Sequence, residues 1–201
     1  MGRVTRRWWL LAAFSAPSAA ALSAQQLAAH LNPANLLHIS APGFHFLTGK
    51  SLERLKDGAT VAFLGQLSLS TDANVTVATR AVARFAMSYD IWEERFSVTR
   101  FAASRNETVA RNASHLSAAA AESWCLDHLT IDTSLLPAAR PFWVRFELRA
   151  EDGRDGTQVL GEPGINITRL IEIFSRPARA QQQRWQLDAG PLRLSDLRGS
   201  S

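Results

Sequence analysis

Tyr89, Asp90, Trp92, Glu93 and Glu94 form the densest mixture of aromatic and acidic side chains in the sequence. Paired carboxylates beside an aromatic ring could cleave a glycosidic bond by general acid–base chemistry, or stack against a sugar and hydrogen-bond its hydroxyls. Period-two alternation sets Tyr89, Ile91 and Glu93 on one side and Asp90, Trp92 and Glu94 on the other, so neighbouring carboxylates diverge. That geometry favours a strand junction with one aromatic buried and the charges solvated. The five residues are therefore a candidate interaction surface rather than a catalytic pair.

Three other constellations touch on known chemistry and fall short of it. Cys125-x-x-His128, with Asp127 alongside and His115 ten positions before the cysteine, has ligand types that suit zinc. A structural zinc needs four ligands and a catalytic one three around an open position, so a buried thiol with surface histidines is the better reading. Gly49-Lys50-Ser51 matches the end of a phosphate-binding loop, but Phe44 stands where the first glycine belongs, and Phe44, Phe46 and Leu47 are core residues. The stretch from Asp152 to Gly156 lacks the spaced oxygens and distal glutamate of a calcium loop and reads as a turn. No Gly-x-Ser-x-Gly elbow occurs. The sequence thus points to no catalytic residue, no metal site and no cofactor.

The elements that would carry these residues alternate with period two. Val61, Phe63, Gly65, Leu67 and Leu69 share one face of a strand. A turn at Asp72-Ala73-Asn74 leads to a longer strand with Val75, Val77, Ala81, Ala83, Phe85, Met87 and Tyr89 on one face and Arg80 and Arg84 on the other. These two predict antiparallel neighbours with one wet side. Residues 95–101, 129–132, 142–150 and 184–194 predict further strands. Helices are expected over 24–31, ended by Pro33; over 50–56, capped by Thr48 and closed by Gly58; over 114–126, where Ala118 to Ala121 favour it; and from Asn166 or Thr168 through Phe174. The fold class is mainly β: an antiparallel β-sandwich or twisted antiparallel sheet with two or three short helices.

Composition narrows the class further. The chain has 201 residues, 46% hydrophobic and 20% charged, with one cysteine, which excludes a disordered tail, a disulfide-dense mini-protein and a polytopic membrane protein. Residues 1–23 have the basic start, apolar stretch and small residues of a signal peptide, leaving 24–201 as a single β-rich extracytoplasmic domain, periplasmic or secreted. Thr5-Arg6-Arg7-Trp8-Trp9-Leu10 is similar to a twin-arginine export signal. An uncleaved leader would be an N-terminal inner-membrane anchor, with Trp8 and Trp9 at the interface. Removing Arg3, Arg6 and Arg7 with the leader leaves 19 basic against 18 acidic side chains, scattered singly, so no nucleic-acid footprint exists. Only two lysines stand against 20 arginines, a bias of GC-rich bacterial genomes, so the four sequons at Asn74, Asn106, Asn112 and Asn166 are read as turn and cap asparagines.

The run from Phe44 to Gly58 (FHFLTGKSLERLKDG), then Ser88 to Phe96 (SYDIWEERF) and Glu122 to Leu126 (ESWCL), resembles a set of small exported bacterial proteins of unknown function, over about residues 36–195. The resemblance implies a compact extracytoplasmic β-rich domain and carries over no catalytic residue. The expected function is a non-enzymatic exported protein that binds a cell-envelope protein or component. The alternative is a carbohydrate-active hydrolase or sugar-binding protein using the Tyr89 to Glu94 cluster.

Overall fold

A computed structural model describes residues 26–73, 76–103, 108–151 and 182–198. The expected leader, Asn74, Asn106 and Asn166, the turn at 152–156 and the helix through Phe174 lie outside these residues. The chain runs β1 (Ala28–Leu31), β2 (Leu36–Ser40), α1 (Gly49–Lys56), β3 (Val61–Ser70), β4 (Val77–Asp90), β5 (Arg95–Ala103), β6 (Thr108–Leu116), α2 (Ala118–Asp127), β7 (Ile131–Asp132), β8 (Phe142–Ala150), β9 (Arg184–Leu192) and α3 (Leu194–Arg198). Two antiparallel sheets result: a six-stranded one in the order β6-β5-β4-β3-β8-β9 and a three-stranded one in the order β1-β2-β7. The fold is the mainly β, sandwich-type architecture that alternation predicts.

One face of the large sheet builds the core. Phe63 pairs with Phe85, Leu67 with Phe146 and Met87 with Val98, so one row of apolar side chains crosses four strands. The small sheet adds Leu31, Leu37 and Ile39, and the segment after β2 inserts Phe44 and Phe46 into the same cluster. Phe46 meets Phe63 edge-on at 5.0 Å between centroids, and Phe44 meets Phe146 at 5.9 Å. Each buried phenylalanine contributes about 1.5–3 kcal/mol of transfer free energy, so these rings pin the 41–47 segment against the large sheet. Gly65 keeps the row tight, because a Cβ there would lie 3.1 Å from Phe85 and 3.4 Å from Leu129.

The second face is not wet at its centre, contrary to the alternation argument. All ten residues of β3 are buried, and Arg84, expected to face water, is 2% exposed. Its guanidinium grips Glu151 in a fork, Nη2 to Oε2 at 2.8 Å and Nε to Oε1 at 3.1 Å. Beside it Arg149 donates to Glu147 at 2.6 Å and Arg184 reaches the same carboxylate at 3.1 Å. Period two assigns a side chain to a face; it does not say that the face is solvated, and charge pairing lets this one be covered.

Three elements differ from expectation. The predicted helix over 24–31 is the strand β1, because Asn32 Oδ1 accepts from the amides of Ala34 and Leu36 and closes a hairpin that pairs Leu31 with Leu37. The predicted helix over 114–126 begins only at Ala118, where the Ser117 hydroxyl caps it by accepting from Ala120 N at 3.2 Å; residues 114–116 belong to β6. Asn112 sits inside β6 opposite Thr99, not in a turn or cap. On this outer pair of strands Arg100 lies opposite Arg111, and burial together with the neighbouring Arg111 charge lowers the Arg100 pKa. Among the described residues, no helix is long and apolar enough to cross a membrane.

Candidate functional site

The aromatic-acidic cluster sits on the four-residue turn between β4 and β5, whose ends pair through Asp90 and Arg95. Asp90 Oδ1 accepts from Trp92 N at 2.8 Å and Glu93 N at 3.1 Å, and Glu94 closes the turn in a left-handed conformation with φ 53°. Tyr89 turns back onto Phe96, 4.8 Å between centroids. Glu93 bonds His115 Nδ1 at 2.6 Å, where a register shift between β5 and β6 re-aims the histidine. Trp92 is left standing clear at 95% exposure, next to Ile91 at 57%. The carboxylates do not converge: Asp90 fixes the turn and half-exposed Glu93 holds a histidine.

A cavity of about 330 Å³ lies between the segment after β2 and helix α2, lined by Ile39, Pro42, Phe44, His45, Glu122 and Leu126 among others. Glu122 is 3% exposed. Its Oε1 accepts from Phe46 N at 2.7 Å and Leu47 N at 2.8 Å, and its Oε2 meets His45 Nδ1 at 2.7 Å. An imidazole oriented by a buried carboxylate is half of a general-base arrangement. Ser40 and Ser123 line the same cavity, but among the described residues no serine hydroxyl is hydrogen-bonded to His45. The dyad therefore holds the 45–47 segment to α2.

Cys125, Asp127, His128 and His115, whose types suit zinc, are not gathered at one place. Cys125 is a buried free thiol on the inner side of α2, as anticipated. His128 donates Nδ1–H to Trp124 O at 2.8 Å and stacks on the Trp124 ring, and His115 is committed to Glu93. Asp127 instead meets two histidines that the spacing argument passed over. His30 and His38 lie opposite each other on β1 and β2, and with Asp127 they offer three ligand atoms all within 4.8 Å of one another. The cue was available as two histidines each four residues from Ala34, at the middle of the turn, but it is invisible if 24–31 is taken as a helix. At the start of α1, Gln183 Oε1 accepts from Ser51 N and from the Ser51 hydroxyl, so an amide occupies the place a phosphate would need.

No family model, curated protein or solved structure matches this chain.

Cys125 gives a direct measure of how closed α2 is. Burial, with the Glu122 charge adding to it, pushes its thiol well above the ordinary value of 9.0. The folded protein is expected to resist alkylation at pH 8 and to react only as fast as it unfolds, which timed mass spectrometry with iodoacetamide would record. A raised folded pKa also fixes the sign of the pH dependence. Below pH 9 both states keep the proton and the group is silent; above it the unfolded chain releases its proton first. Stability then falls by up to about 1.4 kcal/mol per pH unit until the folded thiol ionises. Urea midpoints from pH 8 to 11 should therefore decline less steeply in Cys125→Ala than in wild type.

Proposed function

We propose that the chain is an exported, non-enzymatic binding module that docks onto a protein of the bacterial cell envelope through Trp92. The carrying observation is the near-complete exposure of Trp92 on a turn that Asp90 clamps from within. A turn whose backbone is already fixed has little main-chain ordering entropy left to lose on docking, and tryptophan is among the residues that dominate interface energetics. Asp90, Glu93 and Glu94 flank Trp92 in the same turn, so the complementary surface is an apolar pocket rimmed by basic side chains. The basic start, apolar stretch and small residues of positions 1–23 support export.

The hydrolase alternative draws less support. A glycosidase needs two carboxylates converging on one bond, whereas here Asp90 accepts turn amides and Glu93 is held by His115.

The test is a photo-reactive side chain in place of exposed Ile91, which leaves Trp92 intact, with one at exposed Glu53 as control, illuminated in envelope preparations of the source bacterium. A single envelope protein captured from 91 and not from 53 is expected. Its purified form should bind wild type about 30-fold more tightly than Trp92→Ala, the cost of a typical hot-spot residue. Equal labelling from both positions, or an unchanged Kd in Trp92→Ala, would sink the proposal.

A further inference from the structure

We infer that His30, His38 and Asp127 form a binding site for a borderline transition-metal dication of the zinc class, a site separate from the Trp92 turn. The three residues come from three elements that the fold brings to one place. Antiparallel pairing of β1 with β2 sets His30 directly opposite His38, and their rings stack with centroids 5.2 Å apart at 18°. The C-terminal turn of α2 delivers Asp127, whose Oδ1 lies 3.3 Å and whose carbonyl O lies 3.1 Å from His38 Nδ1.

The chemistry of the set selects the ion. Two imidazoles and one carboxylate suit zinc and its neighbours, whereas calcium and magnesium take oxygen ligands throughout. An ion bonded at about 2.0–2.2 Å keeps its ligand atoms within about 4.2 Å of one another. The present spread of up to 4.8 Å closes to that by small side-chain rotations. His30 and Asp127 are exposed, which leaves room for them, although the other Asp127 oxygen also lies 3.9 Å from His128 Nδ1.

The surroundings favour a cation and hold the central ligand. Asn32 Oδ1 is committed to the amides of Ala34 and Leu36, which turns its Nδ2 toward His38 Nε2 at 3.3 Å. Asp127 lies on the other ring nitrogen, so an ion would bind at Nδ1 in place of the His38–Asp127 hydrogen bond, with the Nδ1 proton released to solvent. The carbonyl end of α2 adds negative partial charge at the same point. Three protein ligands leave a coordination position open, and Asp127 also borders the cavity beside α2, so a bound ion adjoins that space.

The experiment titrates Zn²⁺ into the untagged mature protein at pH 7.5 by calorimetry. Variants are His30→Ala, Asp127→Asn and His115→Ala, the last removing the separate histidine–carboxylate pair at the β4–β5 turn. One equivalent is expected to bind with a low-micromolar or tighter Kd, weakened at least tenfold in both His30→Ala and Asp127→Asn and unchanged in His115→Ala. Circular dichroism of the variants separates a lost ligand from a lost fold, and exposed His30 makes its variant the decisive one. Absence of binding to folded wild type, an unchanged Kd in folded His30→Ala, or an equal loss in His115→Ala would overturn the inference. Because none of these readouts involves Trp92, failure here leaves the docking proposal standing, and the reverse.

Discussion

Replacing Glu122 by alanine is expected to destabilise the protein by about 2–5 kcal/mol, because it strands two buried amide donors that each cost about 1–3 kcal/mol when unpaired. The donors are Phe46 N and Leu47 N, and the segment they belong to carries Phe44 and Phe46 into the core. Water entering from the adjoining cavity would satisfy part of the deficit and set the lower end of the range. Glu122→Gln keeps an oxygen for the two amides and loses only the charge, so about 1 kcal/mol is expected. Urea denaturation measures both, with the midpoint shifted and the slope unchanged. Equal losses in the two variants would mean that His45, not the amides, is the partner that matters.

Breaking the Arg84–Glu151 pair from one side is expected to cost about 3–5 kcal/mol, because the surviving charge stays buried without its counterion. Both side chains are under a tenth exposed and bonded as a fork. Arg84→Met and Glu151→Leu should each lose that much, while the double variant should return to within about 1 kcal/mol of wild type or exceed it. A double-mutant cycle in urea checks this, and a coupling energy near zero would show the guanidinium to be solvated in the folded state. The same cycle explains why the polar face of β3 can be covered: the pair is tolerable in place and costly to disrupt.

Both side chains were in plain view in the sequence, but their partnership was not. Alternation reads the strands of the sheet centre correctly, since β3, β4, β5 and β8 each carry an apolar row on one face, and it finds the turn at 91–94 between two such rows. It fails at β6, an outer strand whose sequence TVARNASHL has almost no apolar row to show. It fails again at β1, where four residues with two alanines look helical until the Asn32 hairpin is considered. Site residues follow the same division. Trp92 announces itself locally, as an aromatic in a turn. Glu122 acts on amides some 75 positions away, and the His30, His38 and Asp127 grouping depends on strand register, so spacing shows the histidine pair only once the hairpin is recognised and shows neither Asp127 nor the Glu122 contacts.

The opposed arginines at the margin of the large sheet bear on self-association. Among the described residues β6 is a terminal strand, and a strand with main-chain groups open to further pairing is the usual starting point for fibres and precipitates. Arg111 on that strand, with Arg100 behind it and a kinked register near His115, makes the margin positively charged and irregular. Two copies meeting there would repel and mismatch, so the sheet ends where it does at the expense of an unfavourable charge pair. Molar salt, which shortens the reach of charge to about 3 Å, would lift the repulsion while leaving the kink as the remaining guard against polymerisation.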